Sequence, residues 1–224
     1  MATTTAIQAR DFIRQIMAGE RDFASTRLVV DGAFDEQDGY QELLAYLQEQ
    51  DLRASPINCE RADWRGVCAR GLFWERSRMA GADLSGACLH EANLRGADLV
   101  GANLEWADVS SATFVVAKLG EANFVTANMR AADMYECNAT GANLAGADLT
   151  GAYLPRATFR DVDFSRAVLT NVHLYKTDLR GAKGLDTARD LATCEFFKTI
   201  VTPAEHEAIQ AAFRARPLFD LRSE

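Results

Sequence analysis

The chain lacks the features that mark membrane and secreted proteins. No apolar run approaches the roughly 18 residues that a membrane-spanning helix needs. The first residues, Met1 to Ala6, have neither the basic region nor the apolar region of a secretion signal. The five cysteines are an odd number at uneven spacing, which is not typical of a secreted disulfide framework. These absences predict a cytoplasmic protein that does not contact a membrane.

Residues with catalytic or metal-binding roles are also scarce. The three histidines, His90, His173 and His206, fall on separate segments, and none is spaced with cysteines or carboxylates as in a metal site. The sequence has no G-x-S-x-G, no glycine-rich loop followed by lysine and no C-x-x-C. We therefore expect no enzyme, no cofactor and no metal, because no nucleophile, base and orienting group can be named together.

The chain has instead a strict period of five residues from Leu84 to Leu179. Nineteen of the twenty positions in this series carry a large apolar side chain, and Ala139 is the exception. The residue two places earlier is alanine in sixteen cases, and the residue between them is Asp or Asn in thirteen. A helix repeats near 3.6 residues and a half-buried strand repeats at two, so the pattern indicates stacked repeats. The large and small residues should both point inward, and the Asp or Asn should lie outside near a corner.

These units resemble the repeats of pentapeptide-repeat proteins. The units A-D-L-S-G, A-N-L-R-G and A-N-L-A-G begin at Ala82, Ala92 and Ala142. The resemblance implies an all-β solenoid, a right-handed quadrilateral β-helix with four units per coil and the large residues inside. It implies no single function, although some members of the family resemble B-form DNA and bind type II topoisomerases.

A weaker form of the same period begins near Leu52, which divides the chain into three regions. Residues 1–51 are expected to hold an N-terminal cap helix, a rough first coil and a helical insertion. Residues 52–184 are expected to form the β-helix, and residues 185–224 a C-terminal helical cap. Terminal caps are expected because an open end of a repeat array exposes apolar surface and unpaired backbone.

Two of the expected helices have recognisable start signals. The insertion should be a helix from about Gly39 to Gln50, with Asp38 and Gln41 spaced as a capping box. The last helix should begin after Thr202, with a proline at its first position and Glu205 as the reciprocal capping residue. It should close the far end or pair with a second copy, so the protein is expected to be a monomer or a homodimer.

Residues twenty apart should stack in adjacent coils about 4.8 Å apart, which predicts an apolar stripe on one side. Val115, Tyr135, Pro155 and Tyr175 occupy one outward position of four consecutive coils. The candidate interaction face adds three flanking residues, Phe73, Val116 and Tyr153. A stripe of this kind needs either a partner or one of the chain's own helices to cover it, and the sequence leaves both open.

The same spacing stacks Cys68 on Cys88. Their Cα atoms should then lie within the roughly 4.4–6.8 Å range of a disulfide. Two reduced thiols are the alternative, because cytosolic thiols usually stay reduced.

The charge of the chain invites a comparison with DNA. The formal net charge is −8, and residues 81–148 carry nine acidic and three basic residues. The candidate acidic belt consists of Asp83, Glu91, Asp98, Glu105, Asp108, Glu121, Asp133, Glu136 and Asp148. It spans about 16 Å, over which duplex DNA carries about ten charges. Residues 52–184 as a whole are balanced, with fifteen acidic and fifteen basic residues, so any mimicry is partial.

The sequence therefore predicts a non-enzymatic β-helix that binds a protein partner through its faces and does not bind nucleic acid directly. The alternative is a partial B-DNA mimic that binds DNA gyrase or topoisomerase IV, as an inhibitor or a quinolone-type resistance factor. A continuous negative face would favour mimicry, and mixed charge beside the aromatic stripe would favour an ordinary protein interface.

Overall fold

The computed structural model of the protein describes residues 4–30 and 32–215. Most of the chain is a β-helix whose coils are joined by parallel backbone bridges. Bridged residues are twenty apart, from Asn58 with Arg78 to Asp163 with Lys183. Four five-residue units therefore make one coil, and equivalent units stack directly on one another.

Four of the five backbone N–H groups in a unit donate to backbone carbonyls. In the unit that begins at Ala82, the Ala82 N–H closes the preceding turn at 3.0 Å, and the Asp83 N–H donates to the previous coil at 2.9 Å. Leu84 and Gly86 donate to the next coil at 2.7 and 2.8 Å. The N–H of the fourth residue, Ser85, has no carbonyl partner. Because an unpaired backbone donor away from water raises the free energy, this group needs a side-chain acceptor.

The Asp or Asn at the second position of the unit is that acceptor. Between Leu84 and Leu179, all thirteen such residues accept the N–H two residues later, at 2.8–3.3 Å. Stacked amides also bond between coils, since Asn123 Nδ2 donates to Asn103 Oδ1 at 3.0 Å. The recurring Asp and Asn therefore complete the backbone hydrogen bonding of the coil.

The fifth residue of each unit turns the chain into the next side. From Arg61 to Gly181, every residue at this position has a φ of 53–77°. A left-handed residue at the third place of a four-residue turn is the geometry of a type II turn, which glycine adopts most readily. Val116 and Trp106 adopt it at φ values of 53° and 61° despite a branched or bulky side chain.

The interior is filled as the period predicts. The twenty large positions from Leu84 to Leu179 are at most 3% exposed, and the sixteen alanines beside them at most 1%. Because these side chains form one continuous column along the axis, each coil buries its apolar residues against those of its neighbours.

Helices and a short sheet cover the N-terminal end. Strand β1 (Thr5–Gln8) pairs in parallel with β2 (Thr26–Val29), and helix α1 (Ala9–Met17) lies between them in sequence. A 3-10 turn (Phe34–Glu36) and helix α2 (Tyr40–Glu49) follow. The rings around Phe12 lie 4.5–6.0 Å from it, centroid to centroid, and belong to Phe23, Phe34, Trp64 and Trp74.

The expected capping box of α2 does not form. Gly39 is the N-cap residue at a φ of 89°, and no side chain caps the helix. This left-handed residue places Asp38 outside the capping position, where it pairs with Arg10 at 3.1 Å instead.

The backbone ladder continues beyond the regular repeats. Val168, His173 and Asp178 bridge to residues 21 or 22 positions later, Arg189, Glu195 and Ile200. A 3-10 turn (Leu191–Thr193) interrupts this last coil, and helix α3 (Pro203–Ala215) ends the described chain. The last part of the predicted C-terminal cap, residues 216–224, lies outside the described residues.

Glu205 joins α3 to the end of the β-helix. Its carboxylate accepts the Thr202 N–H at 2.5 Å and the Gly181 N–H at 2.9 Å. Gly181 is the fifth residue of its unit, and its N–H would donate to a following coil if the repeat continued. Glu205 therefore replaces a missing carbonyl. In residues 4–30 and 32–215, no helix has the length and apolarity needed to cross a membrane.

The side-chain acceptors can be tested with two opposite substitutions. Asn123→Ala removes the acceptor of the Val125 N–H, so we expect the free energy of unfolding to fall by about 1–2 kcal/mol. Thr113→Asn should raise it by up to about 1 kcal/mol, because the Val115 N–H has no hydrogen-bond partner within the described part of the chain. Denaturant unfolding measures both, and changes of the same sign would contradict the role assigned to these side chains.

A candidate interaction face

The predicted stripe lies in one column of the β-helix, but it is not exposed throughout. Val115 is 7% exposed, Pro155 is buried, and Tyr135 and Tyr175 are half-buried. Consecutive members are joined through the backbone: the N–H that follows Val115 donates to Tyr135 O at 2.9 Å, and the N–H that follows Pro155 donates to Tyr175 O at 2.8 Å. The Lys176 N–H donates in the same way to Phe197 O at 2.9 Å, so Phe197 is the next member. We use the name aromatic face for Val115, Val116, Tyr135, Tyr153, Pro155, Tyr175 and Phe197.

The rings of the aromatic face stack on one another. Tyr135 and Tyr153 are stacked at 6.5 Å, and Tyr175 and Phe197 at 5.6 Å. Tyr153 also contacts the His173 ring at 5.8 Å. Tyr153 is 44% exposed and Phe197 59% exposed. The face therefore offers rigid aromatic surface to a second molecule.

Phe73 does not belong to this surface. It lies on the same side in an early coil, but the polar residues Asn93 and Thr113 occupy its position in the next two coils. Its ring is half-buried and packs against the core near residues 48–53.

Phe197 lies outside the strict period because the last coil contains two extra residues. The sequence still carries a signal for it, because Cys194, Glu195 and Phe196 repeat the small, outward and large order of a regular unit.

The helices of the structure lie at the two ends of the β-helix. Helix α1 contacts α2, and α3 contacts the 3-10 turn at Leu191–Thr193. Tyr153 and Val116 remain exposed in the described part of the chain. No helix of residues 4–30 and 32–215 therefore covers Val116, Tyr153 or Phe197.

The aromatic face lacks several of the structural Asp and Asn residues. Pro155 has no N–H, so its unit needs no acceptor at the second position, and Tyr153 stands there. In the next coil His173 replaces the Asp or Asn, and the N–H of Tyr175 has no hydrogen-bond partner among residues 4–30 and 32–215. The chain thus gives up backbone hydrogen bonding at these positions and places rings on the surface instead.

Positive charges border the rings. Lys176 Nζ lies 5.1 Å from the Tyr175 ring, and Lys198 Nζ lies 5.4 Å from the Phe197 ring. Neither lysine forms an ion pair within the described residues, and Lys176 lowers the pKa of Tyr175 by hydrogen bonding to it. Arg156 lies over Tyr135 but also pairs with Glu136 at 3.2 Å. Mixed charge therefore surrounds the aromatic face.

The nine residues of the predicted acidic belt are distributed over all four sides. Four of them have cationic partners at 3.0–3.7 Å, namely Asp83, Asp98, Glu136 and Asp148. The five aspartates also accept backbone N–H groups, so their positions follow from the fold. The belt does not form one continuous negative face.

One cluster of catalytic residue types was not found from the sequence, because its members come from two coils. Ser110 Oγ lies 2.8 Å from His90 Nδ1 and donates to Asp108 Oδ1 at 2.6 Å. Since the hydroxyl proton is directed to Asp108, His90 Nδ1 must donate to Ser110 and cannot act as its base. Among the described residues, no group of three or more His, Cys, Asp or Glu could hold a metal ion.

The ladder of bridges and the inward pattern together define a pentapeptide β-helix. The family model for pentapeptide repeats matches eight copies over residues 57–96, 77–114, 117–146 and 147–183, more than half of the chain. The protein belongs to the pentapeptide-repeat family, whose members fold as right-handed quadrilateral β-helices. No curated protein sequence matches it.

Several solved structures of pentapeptide-repeat proteins are similar to this chain. HetL, involved in heterocyst differentiation regulation in the cyanobacterium Nostoc, is 20% identical over 87% of this chain and 94% of HetL, with a TM-score of 0.34. QnrB1, a plasmid-mediated fluoroquinolone resistance protein, is 15% identical over 88% and 82%, with a TM-score of 0.40. Rfr23 from the cyanobacterium Cyanothece is 22% identical over 65% and 91%, with a TM-score of 0.27.

Proposed function

We propose that the protein is a non-enzymatic scaffold that binds a protein partner through the aromatic face. The observation that carries this function is the pair of exposed rings, Tyr153 and Phe197, which stack on the half-buried rings of Tyr135 and Tyr175. Contiguous exposed aromatic side chains usually mark an interaction site, and aromatic anchors dominate binding energy at interfaces. A rigid surface also loses little conformational entropy on binding.

The size of the aromatic face suits an extended partner segment. Val115 to Phe197 covers five coils, so the column is about 19 Å long. An extended segment of about six residues has that length. Lys176 and Lys198 form no ion pair with any described residue, and they would favour carboxylates beside the apolar side chains of such a segment.

The cysteines support a cytoplasmic location for the proposed scaffold. All five are free in the structure, and thiols persist in the reducing cytoplasm. A catalytic role is not part of the proposal, because family members are generally structural or interaction proteins and because Ser110 is hydrogen-bonded to Asp108.

The second candidate is a partial DNA mimic that binds DNA gyrase or topoisomerase IV. Its support is the net charge of −8 together with the family resemblance. The spread of the acidic belt over four sides weighs against it, because DNA presents a regular array of uncompensated phosphates. The aromatic face is therefore the better supported site.

The scaffold function predicts that binding fails when charge is placed on the face. Tyr153→Glu combined with Phe197→Glu should abolish recovery of the native partner by affinity purification, because carboxylates would be buried in an apolar contact. Thermal unfolding should change little, since both rings are exposed. Trp106→Glu is the matched control, because Trp106 is 68% exposed on another side. Equal loss of the partner in the control, or no loss in the double variant, would show that the face is not the binding site.

The scaffold function also predicts no effect on DNA gyrase at micromolar protein in a supercoiling assay. The informative variant is Asp98→Asn with Glu105→Gln and Asp108→Asn, because Asn keeps the backbone acceptor and removes the charge. Inhibition by the parent protein that weakens in this variant would establish the DNA mimic in place of the scaffold.

A further inference from the structure

Cys68 and Cys88 occupy a position where the fold normally needs Asp or Asn. They are bridged neighbours in adjacent coils, and both are half-buried. The structure compensates for the first, because Asp35 of the N-terminal insertion accepts the Arg70 N–H at 3.3 Å. The second is not compensated, since the His90 N–H has no hydrogen-bond partner among the described residues. The fold alone does not account for this pair.

The ideal spacing of stacked side chains accommodates a bridging cation with less movement than a disulfide requires. Side chains that stack in register lie about 4.8 Å apart, whereas a disulfide needs Cβ atoms about 3.5–4.5 Å apart. A d10 cation of the first row lies about 2.3 Å from a thiolate sulfur, so two sulfurs on opposite sides of it are about 4.6 Å apart. A two-coordinate, nearly linear arrangement therefore needs little movement of the coils.

The N-terminal insertion packs beside the pair. The Arg70 guanidinium, two residues after Cys68, pairs with Asp35 of this insertion at 3.5 Å. Tyr40 Oη donates to Arg70 O at 2.8 Å and holds α2 against this part of the coil.

The thiols themselves select for a soft ion. Thiolate sulfur is a soft ligand that binds soft thiophilic cations well and hard oxygen-seeking cations poorly. Zn²⁺ normally takes four ligands, and no cluster of even three is present in residues 4–30 and 32–215.

We propose that Cys68 and Cys88 form a two-coordinate binding site for a soft monovalent cation, Cu(I). Binding converts two thiols and Cu(I) into one S–Cu–S unit and releases two protons, with no change of oxidation state. The site lies on a different side from the aromatic face and does not depend on the proposed scaffold function. It also ties the first two coils together beside the N-terminal insertion.

Anaerobic titration of the reduced protein with Cu(I), against a coloured Cu(I) chelator, tests the site. The parent should bind one equivalent that Cys88→Asn loses. Asn restores the normal acceptor for the His90 N–H, so this variant should fold at least as well as the parent.

Cys137→Ala is the matched control, because Cys137 is a buried thiol at a position that is alanine in most units. It should keep the one-equivalent site. Cu(I) should also raise the unfolding temperature of the parent and of Cys137→Ala, and not that of Cys88→Asn. Equal binding by the parent and Cys88→Asn would overturn the proposal. So would loss of binding in Cys137→Ala, or a parent that binds no Cu(I) and forms only a Cys68 to Cys88 disulfide on exposure to air.

Discussion

The structure depends on how each five-residue unit satisfies its fourth backbone N–H. Turn and coil hydrogen bonds use the other four N–H groups, and the fourth has no backbone acceptor. An Asp or Asn two residues earlier supplies one, as Asn123 does for Val125. This requirement fixes three positions of the unit at once: the large residue inside, the small one inside, and the acceptor between them.

The same requirement identifies surface residues that replace the structural Asp or Asn and are therefore not explained by the backbone hydrogen bonding. A unit without Asp or Asn at its second position loses a hydrogen bond unless something compensates. Such units provide Tyr153 on the aromatic face, His173 beside it, and the stacked pair Cys68 and Cys88. The candidate sites thus lie at departures from the repeat, and Lys118, Thr158 and Val168 are departures outside them.

Much of the fold could be predicted from the sequence, because a fixed period determines which residues meet in neighbouring coils. Once four units form a coil, the period of five predicts which side chains fill the interior. It also places Tyr135 and Tyr175 in one column, two coils apart. Features outside the period could not be obtained that way. Phe197 joins the face only through two extra residues in the last coil. The pairing of Asp148 with Arg130 at 3.0 Å depends on which side chains meet across coils, and it compensates one charge of the acidic belt.

Backbone amide hydrogen exchange, resolved by residue with NMR, tests the central role of the side-chain acceptors most directly. Fourth-position amides with an Asp or Asn acceptor, such as Val125 and Ala145, should exchange markedly more slowly than those without one, such as Gly120 and Tyr175. All four residues occupy the same outward position, so the comparison isolates the hydrogen bond. Equal exchange rates in the two groups would contradict the account.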